Sequence, residues 1–230
     1  MTHPALKLEG VSVRYEAHGA PTIDGVSLSV EQGERVALVG LNGSGKTTLL
    51  MAAVGLVDHE GVLRVCGHTL SRRTLEAVRE SVGFLFNVPE DQLLFPKVVD
   101  DAAFALLRKG MSASQATAKA RQVLEALGVG HLADSPLHHL SHGQKQRVAL
   151  AGALVSSPPL LLLDEPSAAL DPPGKRDLAR LLGDLDAAMV VATHDLDFAA
   201  SFCTRFIMLE RGSVVFDEPD AAEVNRRMLA

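Results

Sequence analysis

The stretch that most constrains this chain runs from Arg35 to Val54. An apolar run, Arg35–Val39, leads without a break into GLNGSGKTT, Gly40 to Thr48, and then into LLMAAV, Leu49 to Val54. A continuous apolar run of that length reads as a strand buried on both faces of a parallel sheet. Glycines directly behind it let the backbone curl with its N–H groups pointing inward, unobstructed by β-carbons. The helix that follows adds its positive dipole end at the same place. Such a cradle suits phosphate oxygens. Lys46 brings a mobile point charge to the β- and γ-phosphates, and Thr47 a hydroxyl for Mg²⁺. Strand, GxxxxGK[ST] and helix in this order are what a P-loop requires. Gly40, Asn42, Gly43, Ser44, Gly45, Lys46, Thr47 and Thr48 are therefore the expected nucleoside triphosphate site.

Further buried runs occur at Leu160–Leu163, Met189–Ala192 and Phe206–Leu209, with helical patterns between them, as at Leu178, Leu181, Leu182 and Leu185. Buried strands alternating with amphipathic helices predict an α/β fold with a parallel sheet. The opening third differs. Leu6, Leu8, Val11, Val13 and Tyr15 alternate, with one offset at Gly10, and Val26–Val30 alternates cleanly. Alternation predicts an antiparallel sheet with one wet face. From about Val98 to Val155 the rhythm changes to successive helices, expected over Asp100–Lys109, Ser114–Leu127 and Gln144–Val155, with Gly110, Gly128 and Gly130 as stops. The expected organisation is one domain. An antiparallel β lobe covers residues 1–33 with parts of 60–70, a parallel-sheet P-loop core covers 34–86 and 156–230, and an inserted helical lobe covers 87–155.

Composition narrows the function classes. A chain of 230 residues, 47% apolar and 22% charged, has enough core to fold without staples. Its two cysteines, Cys66 and Cys203, have no metal-ligand or disulfide-framework spacing. The net charge of −6 counts against a bulk grip on nucleic acid, and no nucleic-acid partner is expected. No apolar run reaches the roughly 18 residues needed to span a bilayer, and no signal-peptide core is visible at the N-terminus. The reading is soluble and cytoplasmic. There is no Trp, and the one Tyr is Tyr15.

The run Leu160–Leu163 ends in Asp164 and Glu165, at the carboxyl end of a buried strand, where open α/β sheets place ligands. With a P-loop on a neighbouring strand, Asp164 is the candidate Mg²⁺ ligand beside Thr47. Glu165 stands one residue further on, where it can orient or deprotonate an attacking water.

LSHGQKQRVAL, Leu140 to Leu150, begins with Ser141, a good helix N-cap. Placed behind the P-loop and before Asp164, this segment resembles the LSGGQ signature of the ATP-binding-cassette (ABC) ATPases. The resemblance covers nearly the whole chain. Ser167–Asp171 is similar to the family's D-loop, Thr193-His194-Asp195 to its switch-histidine motif, and Tyr15 to the aromatic on which adenine stacks. The resemblance implies ATP and Mg²⁺ as ligands, Glu165 and His194 as catalytic residues, and Asp171 in the D-loop. It also implies a dimer, of this chain or with a related subunit, in which Ser141, His142, Gly143 and Gln144 close over the partner's ATP. PEDQLLFP, Pro89 to Pro96, followed by Val98 and by DAAF, Asp101 to Phe104, resembles a segment of the energy-coupling-factor (ECF) ATPases. These include the cobalt and nickel importers and vitamin importers. That implies docking, through Asn87–Val99, on integral membrane subunits at the cytoplasmic face of the membrane, and the missing C-terminal extension leans towards cobalt or nickel. A vitamin or other ABC importer, a soluble ABC protein and a weakly catalytic scaffold remain open alternatives.

Two positions depart from the family pattern. The Q-loop glutamine falls at Asn87, one methylene shorter. His142 stands where the signature has its first glycine, so its side chain disturbs a close approach, brings an imidazole to the partner's ATP, or is a tolerated variant pointing away from phosphate. The apolar run Leu93–Phe95 has two open readings, exposure as a docking surface and packing within the helical lobe. His138 and His139 have no metal-ligand spacing.

Overall fold

The computed structural model describes residues 3–16 and 19–229. The chain opens with β1 (Leu6–Val13), β2 (Ile23–Val30) and β3 (Arg35–Val39), which feeds α1 (Lys46–Ala53). β4 (Glu60–Val65) and the short β5 (His68–Thr69) return to the first strands, and α2 (Leu75–Glu80) leads to β6 (Val82–Leu85). Three helices follow: α3 (Val98–Arg108), α4 (Ala113–Ala126) and α5 (His142–Leu154). The chain then alternates through β7 (Leu160–Asp164), α6 (Pro172–Gly183), β8 (Ala188–Ala192), α7 (Leu196–Ala200) and β9 (Arg205–Glu210). It closes with β10 (Ser213–Glu218) and α8 (Ala221–Leu229).

Two sheets result. The first, β2-β1-β4-β5, is antiparallel. The second has the order β10-β9-β3-β8-β7-β6, parallel throughout except for the β9–β10 hairpin at its edge. The apolar runs are continuous because both faces of this second sheet are covered. Val36, Leu38, Leu160, Leu162, Val190 and Ile207 pack with α1 and the antiparallel sheet, while Ala37, Val39, Leu161, Leu163, Val191 and Met208 pack with the helices. The buried residues of α3, α4 and α5 belong to that same helical-side cluster, so the helical segment shares its core with the sheet.

The alternation in β1 survives its offset through a β-bulge. Pairing with β2 shifts between Leu8 and Val11, and the Gly10 N–H donates to Ser27 Oγ at 2.9 Å. Leu6, Leu8, Val11 and Val13 all stay inside. Tyr15 does not continue the strand: β1 ends at Val13, and Tyr15 stands exposed beyond it.

The helix ends differ from expectation in several places; α3, for one, begins at Val98 rather than Asp100. Gly110 and Gly128 do terminate α3 and α4, with paired bonds back to the last turns, Met111 N–H to Leu106 O and Val129 N–H to Leu124 O. Gly130, read as another stop, instead opens a single 3₁₀ turn, Gly130–Leu132. Helix α5 begins at His142, earlier than Gln144, because Ser141 and Gln144 form a reciprocal capping box. Ser141 Oγ accepts from Gln144 N–H at 3.3 Å, and Gln144 Oε1 accepts from Ser141 N–H at 2.8 Å.

Candidate nucleotide-hydrolysing site

Parallel pairing in register brings three strand ends together. Leu38 of β3 pairs with Ala192 of β8, and Ala192 pairs with Asp164 of β7. The loop after β3, the Asp164–Glu165 pair and Thr193–His194 therefore emerge side by side at the carboxyl end of the sheet, where a ligand is expected in this topology.

The loop after β3 is closely fitted. Gly40 and Gly45 have φ of +144° and +106°. A β-carbon on Gly40 would lie 2.3 Å from the Leu209 carbonyl oxygen, and one on Gly45 would lie 2.6 Å from Ile23 Cδ1. Only glycine satisfies both the backbone angle and the space. Ser44 Oγ is buried in the loop and has no hydrogen-bond partner among the described residues. Lys46 is buried too, its Nζ donating to the carbonyls of Gly40 at 2.8 Å and Leu41 at 3.2 Å. Burial pulls the Lys46 ammonium below its usual pKa, and the nearby Glu165 and Asp164 carboxylates oppose that shift. An orphaned hydroxyl, a half-desolvated ammonium and a glycine-walled curl at a helix N-terminus fit a polyphosphate.

Thr47 and Asp164 are brought together as expected, Thr47 Oγ1 donating to Asp164 Oδ2 at 2.6 Å. Burial raises the Asp164 carboxyl above its ordinary pKa and the Glu165 charge adds to this, against the Thr47 hydrogen bond and Lys46. A carboxylate pushed towards neutrality beside a hydroxyl is an all-oxygen donor set suited to Mg²⁺, whose charge would reverse the shift.

Glu165 is held from several sides. Its φ is +49°, in the left-handed region, and its N–H donates to the Ala192 carbonyl at 2.8 Å. Its Oε2 accepts from Thr193 Oγ1 at 3.0 Å, and its Oε1 lies 2.9 Å from His194 Nδ1. His194 is mostly exposed, on the open side of the carboxylate. The two residues read as catalytic are thus in direct contact. Tyr15 lies beside the same loop, its hydroxyl 3.2 Å from Thr48 Oγ1 and 62% of its surface open for stacking. Asn87 is exposed in the bend after β6, which pairs with β7, so it stands next to the Asp164 end of that strand.

The signature residues form a separate cleft of about 340 Å³, lined by Ser141, Gly143, Gln144, Asp171 and His131 and by no residue of the Gly40–Thr48 loop. His142 turns its ring towards Glu90, with Nδ1 at 3.6 Å from Oε2. Asp171 caps α6, its Oδ1 accepting from Gly174 N–H at 3.0 Å.

Some features had no sequence signal strong enough to single them out. Lys175 pairs with Asp195, and Thr193 Oγ1 accepts from Asp195 N–H, so the loop carrying His194 is braced from below. Burial raises the Asp195 carboxyl, but Lys175, the Phe198 N–H and His194 together hold it below its ordinary pKa. Gln92 straps the segment after β6 to α5, its Oε1 accepting from Phe86 N–H and its Nε2 donating to the Ala149 carbonyl at 3.0 Å. Gln92 and Asp195 lie within motifs already noted, but their partners are distant in sequence.

A glycine-walled phosphate loop after β3, an acidic pair at the end of β7 with only β8 between them (not on the neighbouring strand, as read from the sequence), and a signature helix whose N-terminus lines a cleft of its own together define an ATP-binding cassette. The sequence profile of the ABC transporter family matches residues 23–168, and the chain belongs to that family of ATPases. It is 45% identical over 214 residues to a Gloeobacter violaceus protein named as an ABC transporter ATP-binding protein, covering 92% of this chain and 88% of that one. It is 34% identical to the energy-coupling factor transporter ATP-binding protein EcfA2 of Methanospirillum hungatei, covering 92% of this chain and 54% of the longer relative. Among solved structures it superposes on cbiO1 of Clostridium perfringens, part of the ABC transporter complex cbiONQ, with a TM-score of 0.82 and 31% identity over 99% of this chain and 93% of that one. The ATP-binding cassette MJ0796, solved as a dimer in a post-hydrolysis state with ADP and Pi, gives a TM-score of 0.86 at 29% identity, over 93% and 98% of the two chains.

Proposed function

We propose that the chain is the ATP-hydrolysing motor subunit of an ECF-type importer for a transition-metal ion, cobalt or nickel, working at the cytoplasmic face of the membrane. The observation that carries the hydrolytic part is the Glu165 carboxylate, held by Thr193 and His194 at the strand end beside the phosphate loop. ATP lies with its phosphates along Gly40–Thr48 and its adenine on Tyr15. Lys46 leaves the loop carbonyls for the β- and γ-phosphates. Glu165 orients a water for in-line attack and takes its proton, and His194, in contact with that carboxylate, faces the γ-phosphate. Mg²⁺, held by Thr47 and Asp164, neutralises phosphate charge when bound.

The remaining donors come from a second subunit, identical or related. Ser141, Gly143 and Gln144 line a cleft apart from the chain's own phosphate loop, at the N-terminus of a helix, which is the right dipole end for a partner's γ-phosphate. His142 makes no approach to that cleft. Its ring faces Glu90, with Nδ1 3.6 Å from Oε2.

Docking on the membrane subunits is assigned to Asn87–Val99 and the groove beside it. The apolar run Leu93–Phe95 is divided between its two readings: Leu93 packs on the core and Phe95 on Phe104, at 5.1 Å between ring centroids, while Leu94 is 73% exposed. A groove of about 410 Å³ adjoins it, lined by Arg72, Arg79, Phe84, Gln92, Phe104 and Arg108. Val88, Leu94, Phe104 and Leu107 supply exposed apolar surface around it. The cobalt or nickel cargo rests on the resemblance of the Pro89–Phe104 segment to the ECF ATPases, while the likeness to cbiO1, part of the ABC transporter complex cbiONQ, supports work within a transporter assembly.

Affinity purification of the tagged chain from its native membranes, with Mg-ATP turnover measured on the product, tests this reading. Integral membrane subunits are expected to copurify, and Glu165→Gln is expected to bind ATP without turnover. Purification with no membrane companion refutes the transport role, and wild-type turnover no higher than that of Glu165→Gln refutes the hydrolytic one.

A further inference from the structure

The chemistry above leaves one buried polar side chain without a task. Gln146, in α5, is 2% exposed. Its Nε2 donates to the backbone oxygen of Glu165 at 3.4 Å, and its Oε1 is buried with no hydrogen-bond partner among the described residues. Burying half an amide unpaired is unfavourable, and an apolar side chain of the same length would pack there at less cost. A polar group kept in such a place calls for a role beyond packing.

Glu165 supplies the role. As a non-glycine residue at φ +49° it holds a backbone conformation that its neighbours must enforce. The peptide N–H is fixed from β8, through the Ala192 carbonyl. The carbonyl on the other side of the residue is where Gln146 reaches, so the two contacts bracket the Cα from which the carboxylate is aimed.

Helix α5 links this contact to a second one. Positions 142, 145 and 149 form a stripe at i, i+3 and i+7 that faces the segment after β6. His142 Nδ1 lies 3.6 Å from Glu90 Oε2, Lys145 Nζ lies 2.9 Å from Glu90 Oε1, and the Ala149 carbonyl accepts from Gln92. Positions 143 and 146 form the adjoining stripe and face the loop after β7. A β-carbon on Gly143 would come 2.7 Å from the Ala169 carbonyl oxygen, so this edge of α5 rests directly on that loop. Glu90 and Gln92 thus contact α5 along one stripe, and α5 meets the Glu165 peptide through Gln146 on the next.

We propose that Gln146 is a positioning residue for hydrolysis, which fixes the Glu165 peptide from the signature helix and so ties the aim of the carboxylate to the docking segment. This rests on the reading of Glu165 as the water-orienting carboxylate. Gln146→Met tests it in the full chain, since methionine keeps the length of the side chain and removes only the amide. The expected result is a kcat about tenfold lower, with KM and nucleotide Kd changed by less than about twofold and Tm equal or higher. In a Glu165→Gln background the same substitution is expected to lower the residual rate no further, because no carboxylate remains to be aimed. Gln146→Asn, one methylene short of Glu165, is expected to shift kcat in the same direction and serves if the methionine variant does not fold. An unchanged kcat in a folded variant overturns the proposal. So does a kcat loss matched by equal losses of nucleotide affinity and Tm, which is the pattern of a purely structural residue. Wild-type turnover in Glu165→Gln alone would overturn the underlying reading of Glu165 instead.

Discussion

Asp101 offers a sharp test of how the docking segment is held. It sits in the first turn of α3, 9% exposed, and a single oxygen, Oδ1, accepts both the Leu94 N–H at 2.7 Å and the Phe95 N–H at 3.0 Å. Burial raises its carboxyl above the ordinary 3.8, and the hydrogen bonds from Phe95 and Leu94 offset only part of that. Geometry and charge therefore make separate predictions. Asp101→Asn keeps a carbonyl oxygen for both donors and is expected within about 1 kcal/mol of wild type at pH 7, losing a helix-dipole contact but also a buried charge. Asp101→Ala strands both donors. The Leu94 amide sits at an exposed residue and rewets, at about 1 kcal/mol, while the Phe95 amide beneath its packed ring costs about 2 kcal/mol. The expected loss is about 3 kcal/mol by urea denaturation, with faster hydrogen exchange at Leu94 and Phe95. The pH dependence follows from the raised pKa. The folded state binds the Asp101 proton more tightly than the unfolded chain, so wild type loses stability relative to Asp101→Asn as pH rises from 3.8 through the folded value. An Ala variant as stable as the Asn variant would refute the hydrogen-bond argument. An Asn variant as damaged as the Ala variant would mean that the charge itself holds the segment.

Other expectations are more local. Gly40→Ala puts a β-carbon 2.3 Å from a backbone carbonyl and is expected to destabilise the fold by about 2 kcal/mol or more and to abolish ATP binding; a stable, ATP-binding variant would contradict the fit of the loop. Tyr15→Ala is expected to weaken ATP binding by about 1–3 kcal/mol, the range for a base stacked on an aromatic, while Tm stays nearly constant because the ring is mostly exposed. Unchanged affinity in calorimetry would remove its role. Burial pushes the Cys203 thiol up to about 12 and raises Cys66 as well, so few thiolates exist at pH 8. Thiol reagents are expected to modify the half-buried Cys66 first and Cys203 only on unfolding, and equal labelling rates in the folded protein would refute the burial argument.

Much of the fold was legible in the sequence because its signals are local. The run Arg35–Val39 and its glycine loop could be read from adjacent residues, as could the runs that became β7, β8 and β9. The offset at Gly10 was visible as a break in alternation, although only pairing with β2 identifies it as a bulge. Legibility failed where an outcome depends on a distant partner. The start of α5 moved by two residues because Gln144 folds back onto Ser141. Leu93–Phe95 could be read either as exposed or as packed, and the fold divides it between the core, Phe104 and solvent.

The same division holds for the site. The sequence by itself determined the chemistry available: a phosphate loop, an acid pair after a buried strand, a capped signature helix and a histidine after a second buried strand. Each is a short segment whose residue types are dictated by what it does, so each can be read in isolation. Only the tertiary structure decided which of them meet. Parallel register of β3, β8 and β7 brings Thr47 to Asp164 and His194 to Glu165, across gaps of 117 and 29 residues. It also turned His142 towards Glu90 and seated the Gln146 amide under the Glu165 peptide. Side-chain direction at such positions follows from packing between elements far apart in the chain, which no local pattern encodes.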